Sequence, residues 1–295
     1  MKRLAAVVAI VLACLVPGSA GAGGRLEVVA AENVWGSIAE QLGGDRVHVT
    51  SVVSNPAADP HDYEPTAFDA RTFAGAIVAI VNGAGYDPWA SRLIAANPKQ
   101  GRVVLDVGHL VGVGAGGNPH RWYSPPDVRR VIDAIATAYR GLDPRDGGYF
   151  ERQRVRLETE GLGRYHRLIA TIRARFRNVP VGASESIFEP LAQALGLRLV
   201  TPPSFLNAIG EGTEPTAADR STIDRQIRRR QIRVWVDNSQ NSTPDVKRLT
   251  DEVRAHGIPV VTITETLTPA SATFQAWQSS QLAALLAALA RATHR

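Results

Sequence analysis

Two proline-anchored histidines stand out as residues able to do chemistry. His61 lies in Asp59-Pro60-His61-Asp62-Tyr63-Glu64-Pro65, and His120 in Asn118-Pro119-His120-Arg121-Trp122-Tyr123. Each histidine directly follows a proline, in a loop after an expected strand. Proline fixes its own φ and drives the preceding residue to extended geometry, so such a loop holds an imidazole at one angle with little entropy left to lose. A lone histidine of this kind is ordinarily a turn residue. Two in matching settings put a metal reading level with the turn reading, because neutral imidazole suits zinc, iron, copper and nickel.

The elements that must position them alternate. Leu26–Ala30, Val47–Val53, Ala76–Val81 and Val103–Leu105 have strand patterns, and Val34–Leu42, the stretch from Thr66, Trp89–Ala96 and Asp127–Tyr139 have helical spacing. Thr66 with Asp69 reads as a capping box, and Gly43-Gly44 as a helix stop. A second alternating set follows at Val179–Val181, Phe188–Leu195, Leu197–Val200, Thr216–Arg230, Val234–Val236, Pro244–His256, Pro259–Ile263 and Phe274–Ala292. A polar loop is expected from Thr201 to Glu214. Strand-helix alternation means βαβ units and parallel sheets.

Between the two sets, Pro144 to Phe176 has almost no breakers. Leu157, Leu168, Ile169 and Ile172 space helically, and Arg and Glu fill the rest. This reads as one long, mostly solvated connecting helix. The fold expected is therefore α/β, with two lobes, each a parallel sheet flanked by helices, joined by one long rigid helix. The expected boundaries are a signal peptide at 1–22, an N-terminal lobe at 23–143, the connector at 144–177 and a C-terminal lobe at 178–295. The helix start Glu64-Pro65-Thr66-Ala67-Phe68-Asp69 is echoed by Glu214-Pro215-Thr216-Ala217-Ala218-Asp219, in keeping with two similarly built lobes.

In such folds ligands bind beyond the carboxyl ends of the strands. That rule adds Glu185, in Gly182-Ala183-Ser184-Glu185-Ser186, and Glu265, in Thr262-Ile263-Thr264-Glu265. Taken singly, each is an ordinary surface acid near a helix start. Taken with the topology, two histidines of one lobe and two glutamates of the other all sit where strands feed loops.

Met1-Lys2-Arg3, the apolar run Leu4–Val16 and the small-residue stretch Ala20-Gly21-Ala22 make a secretory signal, too short to span a membrane. Export to the periplasm or cell surface is expected. Cleavage after Ala22 is preferred over lipid attachment at Cys14, because Leu15-Val16-Pro17 is no polar tether. Loss of Lys2 and Arg3 lowers the formal charge from +5 to +3. Cys14 is the single cysteine, so no disulfide braces the chain. The arginines at 225, 228, 229, 230 and 233 lack interleaved aromatics and read as a solvated face, not a nucleic-acid surface.

The segments DPHDYEP (59–65), NGAGYDPW (82–89), NPHRWYSP (118–125), EPTAAD (214–219) and GIPVVTITE (257–265) resemble the metal-binding proteins of zinc and manganese ABC importers, of the cluster A-I type. The resemblance spans essentially the whole mature chain. It implies two α/β lobes with one metal held between them, on His61, His120, Glu185 and Glu265. The last position is usually Asp in that family, so Glu265 lengthens the arm. The His-rich loop of many zinc members is absent, since 107–117 holds only His109. The resemblance implies a monomeric binding protein without catalysis, with manganese or zinc as cargo and an ABC permease as partner. Two imidazoles and two carboxylates fill a coordination sphere and leave no open position for activated water. Two alternatives follow from the same ligands: an exported metal-dependent hydrolase, with Asp237 the best spare base, or a metal-stabilised surface adhesin. Two carboxylates able to bind through both oxygens would raise the coordination number and favour manganese as cargo, although zinc should bind tighter in vitro.

Overall fold

The computed structural model describes residues 24–56 and 63–294. Residues 1–23 with Cys14, where a signal peptide is expected, and residues 57–62 with His61 lie outside the described residues.

The N-terminal lobe begins with β1 (Leu26–Glu32), α1 (Asn33–Gly43), β2 (Val47–Val53), α2 (Ala67–Gly75), β3 (Val78–Val81), α3 (Pro88–Ala96), β4 (Val103–Asp106), α4 (Val107–Val111) and α5 (Pro125–Leu142). Its four strands are all parallel, in the order β2-β1-β3-β4. Buried β3 reads VAIV without alternation, as expected of a strand covered on both faces. Beneath one face lies a small core of Val29, Ala31, Val53, Phe73 and Trp89; the other face joins the main core.

The C-terminal lobe holds β5 (Pro180–Ala183), α8 (Glu189–Leu195), β6 (Arg198–Leu199), α9 (Pro203–Gly210), α10 (Ala217–Arg228), β7 (Val234–Asn238), α11 (Pro244–Ala255), β8 (Val260–Ile263) and α12 (Phe274–Thr293). Its strands are parallel in the order β6-β5-β7-β8, the same topology as the first lobe. Two parallel-sheet lobes flanked by helices are thus present as the sequence implies.

Two expectations need correction. The connector is not one uninterrupted helix. It runs as α6 (Gly147–Arg156), a π-helical turn over Leu157–Gly161, a break at Leu162 and α7 (Gly163–Phe176). Glycines at 161 and 163, weak helix formers, flank the break. The connector is mostly solvated, as read, while Phe150, Leu157, Tyr165, Ile172 and Phe176 form a buried stripe inside a main core that continues from one lobe to the other. The expected loop from Thr201 to Glu214 contains α9. Pro203 occupies its first turn, where the missing N–H costs nothing, and Phe205, Leu206 and Ile209 bury one face. The polar flanks hid that short spacing.

The capping box is present as read. Thr66 Oγ1 accepts from Asp69 N (3.3 Å), and Asp69 Oδ2 accepts from Thr66 N (2.7 Å) and from the Tyr63 hydroxyl (2.8 Å). Burial alone would raise the Asp69 pKa, but these hydrogen bonds outweigh it and hold the carboxyl below its ordinary range. The arginines at 225, 228, 229, 230 and 233 are all exposed, in keeping with a solvated face.

Candidate metal centre

Each lobe delivers side chains to the line where the sheets' carboxyl ends meet. Glu185 stands just past the end of β5 and Glu265 just past the end of β8. His120 comes by a longer route, beyond β4 and α4, at the entry to a single 3₁₀ turn, Arg121–Tyr123. These three residues come together. Their ligand atoms all lie within 4.8 Å of one another. His120 Nε2 is 3.4 Å from Glu185 Oε1 and 3.8 Å from Glu265 Oε2. Bonds of about 2.0–2.2 Å at tetrahedral angles separate two ligand atoms by about 3.4 Å, so this spacing suits a small cation.

All three are buried: His120 is 1% exposed, Glu185 0% and Glu265 1%. Two buried carboxylates are costly for a fold unless something neutralises them. With a neutral imidazole, the pair presents two negative charges, the complement of a divalent cation.

The imidazole is set by Asn118. Asn118 Oδ1 accepts from His120 N (3.0 Å) and lies 3.0 Å from Nδ1. Asn118 Nδ2 donates across the lobe boundary to the Ser186 carbonyl (2.7 Å) and Glu189 Oε2 (2.9 Å), which fixes which end of the amide is oxygen. An amide oxygen can only accept, so Nδ1 carries the proton and Nε2 is the lone-pair nitrogen that faces the glutamates. Aromatic rings wall the imidazole: Trp122 lies edge-on with centroids 5.4 Å apart, and Tyr86 likewise at 5.9 Å.

The Asn82-Gly83-Ala84-Gly85-Tyr86-Asp87 turn supports this wall. Asp87 accepts from Asn82 N (2.7 Å) and Gly83 N (2.8 Å). Asn82 accepts from Trp35 Nε1 (3.1 Å) and donates to the Pro119 carbonyl (2.9 Å), tying the turn to the residue before His120. Gly83 has φ +66°, and an added Cβ would lie 2.1 Å from Asp106 Oδ1, so glycine is required there. The Tyr86 hydroxyl then donates to Glu265 Oε2 across the boundary at 2.5 Å. Burial, with the Glu265 carboxylate second, pushes the Tyr86 pKa well up, so it keeps the proton it donates. Glu32 is buried beside Asp87. Burial first, and the Asp87 carboxylate next, raise its pKa well above 4.5, and Asp87 itself is raised by burial.

In the C-terminal lobe, Asn238 ends β7. Its Nδ2 donates to Glu185 Oε2 (2.6 Å) and to Glu265 Oε1 (2.8 Å). Gln240 Oε1 accepts from Glu265 N (2.6 Å) and Thr266 N (3.0 Å). A cleft of about 660 Å³ reaches His120 from outside, past Gly117, Tyr86, Ser186 and Gly210.

His61 lies outside the described residues. The described residues after it begin with Tyr63, whose ring packs on Trp89 of α3 (centroids 4.9 Å apart). The other histidines stand apart: His48, His109 and His166 are exposed, and His256 caps the end of α11. His109 sits in α4. Asp237 accepts from Thr250 Oγ1 of α11 (2.9 Å) and is no member of the cluster. Sequence reasoning missed the supporting residues. Tyr86 and Asn118 lay in motifs singled out on other grounds. Asn238 offered one signal, a polar residue at the carboxyl end of a strand, and its neighbour Asp237 drew attention instead.

Two α/β lobes meeting at a buried cluster of one imidazole and two carboxylates define the metal-receptor class of extracytoplasmic binding proteins. Over residues 28–288 the sequence matches the family described as zinc-uptake complex component A, periplasmic (ZnuA), and the chain belongs to that family. It is similar to the metal ABC transporter substrate-binding lipoprotein FimA of Streptococcus parasanguinis, 26% identical over 83% of this chain and 84% of the relative. It is likewise similar to the manganese ABC transporter substrate-binding lipoprotein PsaA of Streptococcus pneumoniae, 24% identical over 83% and 84%. Among solved structures, the Mn-bound periplasmic metal binding protein of Candidatus Liberibacter asiaticus superposes with a TM-score of 0.75 at 19% identity, covering 90% of this chain and all of that one. A crystal structure of ZnuA gives 0.72 at 22% identity, covering 91% and 99%. The family consists of substrate-binding transport proteins.

Proposed function

We propose that this protein captures a divalent transition metal, manganese or zinc, between its lobes and hands it to an ABC permease. The observation that carries the reading is the meeting of buried His120, Glu185 and Glu265 from both lobes within 4.8 Å. His61 is the fourth ligand in this reading. Tyr63, two residues after His61, packs on Trp89, three residues after Tyr86 in the chain, and this supports it. The names of similar proteins support both metals: manganese for PsaA and zinc for the family. The cleft gives the ion an entry path, and membership in a family of substrate-binding transport proteins favours binding over hydrolysis. The mature protein acts as an exported monomer, released after Ala22 or held by lipid at Cys14, with lobes at 23–143 and 178–295 about the 144–177 connector.

Titration of metal-stripped protein tests this. One high-affinity site for zinc or manganese, no turnover of ester or phosphoester substrates, and loss of the site in His120→Ala are expected. A metal isotherm unchanged in His120→Ala overturns the assignment. Metal analysis of protein from its native host decides the cargo.

A further inference from the structure

The coordination mode of the two glutamates is decided by sheet order. β7 lies between β5 and β8, with Ala183 paired to Val236 and Ile263 paired to Asn238. The last residue of β7 therefore emerges between the two residues that leave β5 and β8 for the site. Its backbone is pinned, since Asn238 N donates to Ser184 Oγ (2.9 Å) and its Oδ1 accepts from Gln240 N (3.1 Å). The side-chain oxygen being an acceptor for Gln240 N, the NH2 end must face the glutamates. That single NH2 carries two hydrogens, and both are committed: one to Glu185 Oε2 at 2.6 Å, one to Glu265 Oε1 at 2.8 Å. The opposite oxygens, Glu185 Oε1 and Glu265 Oε2, are the ones turned to His120 Nε2. Glu265 Oε2 also receives the Tyr86 hydroxyl.

We infer that Asn238 is a positioning residue that sets metal selectivity, by holding one oxygen of each glutamate away from the ion so that each binds through a single oxygen. The inference rests on the reading of His120, Glu185 and Glu265 as ligands. Bidentate carboxylates raise the coordination number, which manganese accepts readily and zinc only at a cost in affinity. A carboxylate whose second oxygen accepts a short hydrogen bond from a fixed donor must stretch or bend that bond to swing into a bidentate pose. Asn238 therefore restricts the site to low coordination numbers and biases it toward zinc. This opposes the manganese preference expected from a carboxylate-rich ligand set.

The test uses Asn238→Ala, which removes the donor, and Asn238→Ser, whose shorter side chain cannot reach both carboxylates. Each full-length metal-stripped variant is titrated with zinc and manganese in competition, and the zinc-loaded form is measured by X-ray absorption for coordination number. Loss of a hydrogen-bonding partner of a metal ligand weakens affinity by about 10–100-fold, and here zinc should bear most of that loss. The zinc-to-manganese affinity ratio should fall by about 3-fold or more, because the freed oxygens compensate manganese. Zinc should move from four ligands to a longer, higher-coordinate shell. Equal weakening of both ions with an unchanged zinc shell, or no change at all, overturns the inference even where Glu185→Gln abolishes binding. Retention of full zinc affinity in Glu185→Gln would instead remove the ligand reading beneath it.

Discussion

Counted within each lobe, both sheets carry the strand order 2-1-3-4, yet the lobes reach the metal centre in different ways. The C-terminal lobe sends Glu185, Asn238 and Glu265 almost directly from the ends of three adjacent strands. The N-terminal lobe sends His120 from the far end of a long excursion through α4, and Tyr86 from a glycine turn. One lobe contributes the negative charge on short, stiff supports. The other contributes a neutral imidazole and a hydroxyl on loops braced by hydrogen bonds. Rigid strand ends set the geometry, while loops give the site its freedom to open. Cross-lobe bonds hold the two halves together: Tyr86 to Glu265, Asn118 to Ser186 and Glu189, and Leu267 N to Asn33 Oδ1 at 3.1 Å. The continuous core beneath them argues for loop movement over wide hinge closure during metal release.

The largest break in this comparison comes from removing a ligand. His120→Ala and Glu185→Ala should each weaken zinc and manganese binding by more than about 100-fold, beyond the loss expected for a mere supporting residue. His166→Ala and His256→Ala should leave the isotherms unchanged. Calorimetric titration of all four variants checks this, and a near-normal isotherm in either ligand variant would sink the cluster as the site.

A smaller effect should follow from the brace on the N-terminal side. Asn118→Ala removes the acceptor that fixes the His120 tautomer and both cross-lobe donations. Affinity should fall by about 10–100-fold, with faster metal release in stopped-flow chelation. An unchanged release rate would mean that the loop is held by something other than Asn118.

Next comes the buried acid behind the Tyr86 turn. Glu32 has its pKa raised in the fold, by burial and then by Asp87, from 4.5. An acid whose folded pKa is raised gives its full stability below the unfolded value and loses it as pH climbs toward the folded one. Glu32→Gln removes that loss. The variant's thermal midpoint should exceed the parent's by a margin that is small near pH 4.5 and grows toward pH 8. A margin that shrinks as pH rises would contradict the burial account.

The smallest effect separates the two echoed helix starts. Thr66 sits in a reciprocal box, with its own N–H bonded to Asp69. Thr216 accepts from Asp219 N (3.1 Å), but Asp219 is turned to Ser204 Oγ (2.6 Å) and to Thr216 Oγ1. Each Thr→Ala should cost about 1 kcal/mol, with Thr66→Ala the costlier. Equal costs for the two variants in denaturant titration would mean that the box adds nothing.

Much of the fold was legible because its signals are local. Apolar runs such as Val78–Val81 announce buried strands, Thr66 with Asp69 announces a helix start, and Pro119 marks the loop that carries His120. The two glutamates were legible only through a rule about topology, that sites form beyond strand carboxyl ends. The segment with α9 was misread because Pro202, Pro203 and polar flanks dominate a short helix whose apolar face is just Phe205, Leu206 and Ile209. The connector was read as unbroken because helical spacing persists through Leu157 and Leu168, while the π turn between them depends on how the chain packs.

The sequence by itself determined the strand-helix alternation, the His120 loop and the kinds of ligand available, since periodicity, proline and residue chemistry act over a few neighbours. It could not determine that Asn238 stands between Glu185 and Glu265, because that follows from β7 inserting between β5 and β8, residues distant in the chain. Nor could it determine that Tyr86 would reach Glu265, a hydrogen bond spanning 179 positions. Those contacts exist only once two separately folded sheets share a core, and it is there that a set of ligand types becomes a site with one geometry.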